Sequence, residues 1–271
     1  MRLTTNGIAL NVEIAGVGQP LVLLHGFTGQ AANWRAQTAT FAPHFQTLAI
    51  DLLGHGQSAW PTDPARYRME HCVEDLLAVF DQLALARINV LGYSMGGRVA
   101  LHFAMAHPER VSALILESAS PGLADPQERE ARIQSDEALA DFIEREGLAA
   151  FVERWENLPL FASQARLPES ARAELRTQRL HNNPRGLANS LRGLGAGVQS
   201  PLWESLPNLR APTLLIAGEL DSKFTAIARA MAQALPQSRL AIVPDAGHTI
   251  HLEQPATFDP LVLECLTSTG P

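Results

Sequence analysis

The sequence has few cysteines, a single lysine and no long apolar run. Its two cysteines, Cys72 and Cys265, have neither metal-site nor redox spacing, so we expect core or surface thiols in a reducing compartment. No segment approaches the ~18 apolar residues that span a bilayer, and residues 1–6 lack the apolar core of a signal peptide. Acidic residues outnumber basic ones, 28 against 21, which disfavours a nucleic-acid partner. The sequence therefore predicts a cytoplasmic protein with no nucleic-acid or membrane partner.

The chain has the composition of a globular protein with one large core. It is 271 residues long and 46% hydrophobic, which suffices for a core with an inserted subdomain. Residues 8–14 alternate apolar and polar like an edge strand, and residues 70–83 have the apolar stripe of an amphipathic helix. Strands that alternate with helices predict a mostly parallel central sheet with helices on both faces. Residues 21–24 and 48–50 are continuously apolar, as is typical of strands covered on both faces. The further expected strands are residues 88–91, 113–116, 213–217 and 240–243.

The alternation of strands and helices stops in the middle of the chain. Residues 121–206 contain no convincing strand, and arginines and acids are interleaved there at helical spacing. Ligands of open α/β sheets bind at the carboxyl ends of the strands, where a helical insertion can cover them. We therefore predict a core of residues 1–120, a helical cap of residues 121–206, and a second core segment of residues 207–271.

The motif Gly-Tyr-Ser-Met-Gly at residues 92–96 is the most informative stretch of the chain. It joins an expected strand directly to an expected helix, which makes a tight turn that exposes the hydroxyl of Ser94. Glycines flank the serine because a Cβ there would collide with neighbouring backbone. The alternative is a glycine-rich turn whose serine only caps the following helix.

A serine nucleophile or base needs an adjacent histidine that a carboxylate orients. On sheets of this kind the partners follow in the order serine, acid, histidine. Asp221 and His248 each follow an expected strand and are our candidates. Glu219 or Asp245 remains open as the acid, and His251 remains open as the histidine.

Two backbone amides are candidates for an oxyanion hole, which stabilises negative charge that develops during a reaction. Met95 directly follows the serine at the start of the expected helix. Phe27 lies in the loop after the strand of residues 21–24, behind a His-Gly pair. We therefore assign the two donors to the Met95 and Phe27 amides.

Several cations accompany this constellation. Arg98 lies one helical turn after the serine, on the same helix face, and an arginine there suits an anionic substrate because it can grip a carboxylate through two hydrogen bonds. The alternative is a structural ion pair beneath the cap. Arg132, Arg179 and Trp155 are candidate ligands from the cap, and Lys223 lies two residues after the expected acid.

Together these motifs resemble the α/β-hydrolase superfamily over the whole chain. Four longer segments resemble one of its families more closely, the 2-succinyl-6-hydroxy-2,4-cyclohexadiene-1-carboxylate (SHCHC) synthases of menaquinone biosynthesis, also called MenH. The superfamily motifs are His25-Gly26, Asp51-x-x-Gly54-His55-Gly56-x-Ser58, Gly92-x-Ser94-x-Gly96, Asp221 and Gly247-His248. The family segments are residues 92–98, 117–123, 155–161 and 218–224, reinforced by residues 190–193 and 199–203.

The resemblance implies an α/β-hydrolase fold and a carbon–oxygen lyase that eliminates pyruvate from an enolpyruvyl cyclohexene carrying three carboxylates. We expect no metal and no organic cofactor, because the sequence has neither metal-ligand spacing nor a phosphate-binding loop. The implied partner is a small anionic molecule, and monomer and homodimer both remain open. Two alternatives are a serine hydrolase, either an esterase or a carbon–carbon hydrolase, and a non-catalytic receptor. The implied catalytic residues are Ser94, His248 and Asp221, with Phe27 and Met95 as oxyanion donors. The implied substrate-binding residues are Tyr93, Arg98, Arg132, Trp155 and Arg179, to which we add Lys223.

Overall fold

A computed structural model describes residues 1–268, which are built around one eight-stranded sheet. In chain order the strands are β1 (Arg2–Thr5), β2 (Ile8–Ala15), β3 (Pro20–Leu24), β4 (Gln46–Ile50), β5 (Ile88–Tyr93), β6 (Val111–Glu117), β7 (Thr213–Gly218) and β8 (Ser238–Val243). Across the sheet their order is β1-β2-β4-β3-β5-β6-β7-β8. The β1–β2 and β2–β4 pairs are antiparallel and all other pairs are parallel. The predicted mostly parallel sheet is confirmed.

Helices cover both faces of the sheet, because its central strands are apolar on both faces. In β3, Val22 and Leu24 pack into one apolar cluster and Leu21 and Leu23 into another, all fully buried. The first cluster includes residues from α2 (Met69–Gln82), α3 (Met95–Ala106) and α7 (Ser222–Ala234). The second includes residues from α1 (Arg35–Phe41), α8 (Ile250–Glu253) and α9 (Pro255–Ser268).

A helical segment lies between β6 and β7. It contains α4 (Pro126–Glu156), α5 (Glu169–Leu180) and α6 (Pro184–Leu194), with 3₁₀ helices at Pro159–Arg166 and Trp203–Asn208. A third apolar cluster joins α4 to α6 and contacts Phe27, which follows β3. The cap therefore packs over the carboxyl ends of the parallel strands, where the loops after β3, β5, β7 and β8 meet. The cap boundaries at residues 121 and 206 stay a prediction.

Helix length and apolarity also bear on membrane insertion. None of the helices within residues 1–268 combines the length and apolarity needed to cross a membrane.

Candidate active site

The turn at Ser94 joins β5 to α3 and is strained. Ser94 has φ 52° and ψ −109°, a region that side-chain-bearing residues rarely adopt. A Cβ at Gly92 would collide with the carbonyl oxygen of Gly96, and a Cβ at Gly96 with that of Leu24. The Ser94 amide donates to the carbonyl oxygen of Glu117 at 2.8 Å, which ties the turn to β6. These contacts explain why glycines stand on both sides of the serine.

Ser94, His248 and Asp221 form a continuous hydrogen-bonded chain. His248 Nε2 lies 3.0 Å from Ser94 Oγ, and His248 Nδ1 lies 2.7 Å from Asp221 Oδ2. The relative exposure is 2% for His248 and 8% for Asp221, so their hydrogen bond is shielded from water. Asp221 also caps α7 by accepting from the Phe224 amide at 3.2 Å. This second contact fixes the carboxylate that orients the imidazole.

The other candidates for the acid and the histidine have different partners. Glu219 and Asp245 are both exposed, and Glu219 accepts a hydrogen bond from the Asp245 amide at 3.4 Å. His251 is buried and pairs through Nδ1 with Glu117 at 2.8 Å. Its ring packs on Trp34, with centroids 4.4 Å apart. The structure therefore brings His248 and Asp221, and not these alternatives, to Ser94.

A cavity of ≈ 380 Å³ lies above Ser94 and His248. Phe27 and Met95, the two candidate oxyanion donors, both contribute to its lining. Met95 is the first residue of α3, so its amide has no acceptor within the helix. The α3 N-terminus therefore presents a free donor and a positive partial charge to a developing anion.

The charged lining of this cavity is mainly cationic. It comprises Arg98, Arg132, Asp136 and Lys223. Arg132 donates through Nε to Asp136 Oδ1 at 2.8 Å. Burial raises the pKa of Asp136, and Arg132 opposes that shift. Lys223 is exposed at the rim, with its ammonium 6.0 Å from the centre of the Phe224 ring.

Arg98 has no carboxylate partner within the described chain. No carboxylate oxygen of residues 1–268 lies within the 4.0 Å ion-pair distance of its guanidinium. Its Nη1 donates instead to Gln199 Oε1 at 2.7 Å. Burial, with a smaller contribution from the nearby charge of Arg132, lowers the pKa of Arg98 to about 10, although Asp136 acts in the opposite direction. The guanidinium is still charged at neutral pH, so a desolvated cation faces the cavity.

Arg179 lies in a small chamber beside the main cavity. Its guanidinium is 5.5 Å from the centre of the Phe161 ring, and Nη2 donates to Gln164 Oε1 at 3.3 Å. Glu156 is farther away, 3.9 Å from Nη1. Burial lowers the pKa of Arg179. The structure thus places Arg179 near the cavity but behind its aromatic wall.

Four aromatic residues separate the chamber from the cavity and line both of them. They are Phe27, Tyr93, Trp155 and Phe161. The centroids of Phe27 and Trp155 are 5.2 Å apart in an edge-to-face arrangement. The Tyr93 hydroxyl is 2.8 Å from Thr249 Oγ1, and burial raises the pKa of that tyrosine. Both predicted pocket residues, Tyr93 and Trp155, therefore contact the space around Ser94.

Sequence reasoning missed four polar residues that support these groups. Gln199 bonds to Arg98, Asp136 bonds to Arg132, and Gln164 bridges Arg179 to Thr249, with a 3.0 Å bond to the threonine. Only Asp136 had a local signal, because it lies one helical turn after Arg132. The other three meet their partners through the fold.

Comparison with known proteins places this site in a family. A model of the family described as alpha/beta hydrolase fold matches residues 19–255. The chain belongs to the α/β-hydrolase fold family. The match covers the Ser94 turn, the Asp221 and His248 loops and the helical segment between them.

More specific relatives are enzymes. The chain is 51% identical to a Bacillus subtilis (strain 168) protein provisionally named 2-succinyl-6-hydroxy-2,4-cyclohexadiene-1-carboxylate synthase, over 94% of this chain and 93% of that protein. The solved structure of MenH from S. aureus is 36% identical with a TM-score of 0.92, covering 96% and 98% of the two chains. A malate-bound thermophilic esterase from Thermogutta terrifontis is 30% identical with a TM-score of 0.88 over 100% of both. The chain is therefore a member of the SHCHC synthase family, a family of α/β-hydrolase-fold enzymes.

Proposed function

We propose that this α/β-hydrolase-fold protein is an SHCHC synthase. It would eliminate pyruvate from 2-succinyl-5-enolpyruvyl-6-hydroxy-3-cyclohexene-1-carboxylate and form 2-succinyl-6-hydroxy-2,4-cyclohexadiene-1-carboxylate. The observation that carries this proposal is the unneutralised guanidinium of Arg98 in the cavity that holds the Ser94–His248 hydrogen bond. A cation held there without a protein carboxylate is suited to an anionic substrate.

In the proposed reaction Ser94 acts as a base and not as a nucleophile. His248 accepts the Ser94 proton, and Asp221 stabilises the imidazolium that results. Ser94 Oγ then removes the ring proton at C2, next to the succinyl carbonyl. The electron pair of that C–H bond moves onto the succinyl carbonyl as an enolate; when the enolate collapses, C2=C3 forms, the former C3=C4 bond becomes C4=C5, and the C5–O bond breaks. The enolpyruvyl oxygen leaves as pyruvate enolate, which takes a proton on carbon and becomes pyruvate; the proton that His248 gained leaves the triad and balances this uptake.

Negative charge develops on the succinyl carbonyl oxygen when the ring proton leaves. We assign the Phe27 and Met95 amides to that oxygen, because two preorganised donors lower the energy of the enolate more than that of the neutral ketone. The electron pair moves from a C–H bond to a leaving oxygen with no net oxidation. The proposed reaction therefore uses no organic cofactor and no metal.

The three substrate carboxylates need local cations, because the chain carries a net charge of −7. Arg98 and Arg132 line the main cavity and Lys223 stands at its rim, while Arg179 lies in the adjoining chamber. These four residues, with Tyr93 and Trp155 as walls, are the proposed substrate-binding residues. The positive potential is confined to the site, since long-range attraction cannot recruit an anion to an acidic protein.

The test is pyruvate release from enzymatically prepared enolpyruvyl substrate by the wild-type protein and by Ser94→Ala. We expect turnover by the wild type and a loss of ~10³-fold or more in the variant, because removing one member of such a triad disables the unit. Circular dichroism checks that the variant is folded. Near-wild-type turnover by folded Ser94→Ala would remove Ser94 from the mechanism.

A serine hydrolase acting on an acidic ester is the second candidate. The resemblance to the malate-bound esterase favours it, since the same triad and oxyanion donors can support an acyl-enzyme. Hydrolysis of p-nitrophenyl acetate, measured beside pyruvate release, distinguishes the two. Brisk ester cleavage with only background pyruvate release would replace the lyase by a hydrolase.

Three further expectations stay predictions. They are the cytoplasmic location, a monomeric or homodimeric state, and the division into residues 1–120, 121–206 and 207–271.

A further inference from the structure

An uncharged side chain, that of Gln199, is the hydrogen-bond partner of the Arg98 guanidinium in the cavity. The Arg98 guanidinium donates through Nη1 to the amide oxygen of Gln199 at 2.7 Å, and Gln199 is only 2% exposed. Gln199 lies between α6 and the 3₁₀ helix Trp203–Asn208. A hydrogen bond to an amide fixes the direction of a guanidinium but does not neutralise it.

Several other arginines of residues 1–268 are paired with carboxylates. Arg66, Arg132 and Arg192 each donate to a carboxylate at 2.6–3.0 Å. At Arg179, which is buried near the cavity, an amide is again the nearer partner: Gln164 lies at 3.3 Å and the Glu156 carboxylate at 3.9 Å. An amide is thus the nearer partner of two arginines beside the site, Arg98 and Arg179, whereas Arg132 in the cavity lining is paired with a carboxylate.

The surroundings of Gln199 fix its orientation. Because Arg98 carries only donors, the amide oxygen must face it. The amide nitrogen is buried without a hydrogen-bond partner in the described chain and lies against Gly122, where an added Cβ would be 3.2 Å away. The Gln199 backbone amide donates to the Gly195 carbonyl oxygen at 3.3 Å. Replacing the amide nitrogen by oxygen therefore breaks no hydrogen bond and changes the volume little.

We propose that Gln199 is a positioning residue that orients Arg98 into the cavity and leaves its full charge for a substrate carboxylate. The proposal rests on the proposed function in one respect, since it takes the substrate to be anionic. A carboxylate in place of the amide would form a buried ion pair with Arg98. The substrate would then have to displace an internal competitor.

The test is a pair of near-isosteric variants, Gln199→Glu and Gln199→Met, in the pyruvate-release assay. For Gln199→Glu we expect the KM to rise about tenfold or more, because an internal ion pair must break before substrate binds. We expect kcat to change less than about threefold, because the lost interaction is made equally in the ground state and the transition state. Gln199→Met loses the acceptor without adding charge, so its KM should rise less, by about threefold.

The order of the two KM values distinguishes a role of Gln199 in orienting Arg98 and preserving its charge from a role in packing alone. A purely structural Gln199 would tolerate glutamate, which keeps the shape and the acceptor, better than methionine. A KM for Gln199→Glu within about twofold of the wild type, or below that of Gln199→Met, overturns the proposal, since charge then has no effect on binding.

A second probe keeps this inference separate from the proposed function. Succinate binding to the wild type and to both variants is measured by calorimetry. If the wild type releases no pyruvate but binds succinate, and Gln199→Glu weakens that binding about tenfold, the lyase reaction fails and the role of Gln199 stands. If the wild type releases pyruvate and the KM order is reversed, the role of Gln199 fails alone. Neither turnover nor succinate binding by the wild type would overturn both.

Discussion

At the scale of single residues, Arg98 combines features that are costly for a folded protein. It is desolvated enough to lower its pKa to about 10, and an amide is its hydrogen-bond partner. A desolvated charge without an ion-pair partner costs folding free energy. We expect this cost to be offset by a gain in substrate binding. Arg98→Ala should therefore lower kcat/KM, with a loss of transition-state binding free energy of roughly 2–5 kcal/mol. The fold should stay intact or become more stable.

Pyruvate-release kinetics and urea unfolding of the same samples measure both effects. Arg239→Ala is the control, because Arg239 lies on β8 and pairs with Glu264 in an exposed contact. We expect no change in kcat/KM for that variant. A fall of less than about tenfold for Arg98→Ala would identify a structural arginine, since a desolvated ion pair contributes more.

At the scale of elements, both halves of α4 contribute residues to the lining of the cavity. Arg132 and Asp136 come before a kink at Gly147, and Trp155 comes after it. Gly147 has φ 80° and ψ 175°, a conformation essentially restricted to glycine. An added Cβ would meet no atom within 4 Å, so a substitution there tests the backbone alone.

Gly147→Ala should lower the free energy of unfolding by about 1–3 kcal/mol if the kink persists. If α4 straightens instead, its two halves move apart at the cavity and kcat/KM falls. Urea unfolding and pyruvate release measure the two outcomes, and Gly7→Ala is the control. Gly7 has φ 78° and equally open space, but it lies in the β1–β2 turn. Unchanged stability and activity for Gly147→Ala would show that the kink has no role.

At the scale of the whole molecule, the fold was more predictable than the supports of the site. Strands such as residues 21–24 and 213–217 were evident because burial on both faces requires continuous apolar runs. The Ser94 turn and the order of Asp221 and His248 followed from the steric needs of glycine and from parallel topology. β1 was missed, because only its pairing with β2 distinguishes it. Gln199 lies 101 residues from Arg98 in sequence, and no local pattern predicts such a contact.

The buried histidines make the stability of the whole molecule sensitive to acid. Burial lowers the pKa of His55 from 6.5 to about 3. Burial, together with the positive charge of Arg98, lowers the pKa of His102 from 6.5 to about 4. Below pH 6.5 these histidines bind protons in the unfolded chain but not in the folded chain. The free energy of unfolding therefore falls as the pH falls. Each such histidine contributes up to about 1.4 kcal/mol per pH unit. Burial raises the pKa of Asp136 and Asp259 from 3.8, and these two groups act in the opposite direction, since the folded chain then binds protons more readily than the unfolded chain.

We therefore expect the free energy of unfolding to decrease steadily between pH 7 and pH 5, measured by urea unfolding in constant salt. His102→Gln should reduce this decrease by roughly 1 kcal/mol, because glutamine cannot take up the proton in the unfolded chain. His71→Gln is the control, since His71 is exposed. If His102→Gln and the wild type lose stability equally over this range, His102 is protonated in the folded protein. In that case the Arg98 side of α3 would be more open to water than its packing indicates.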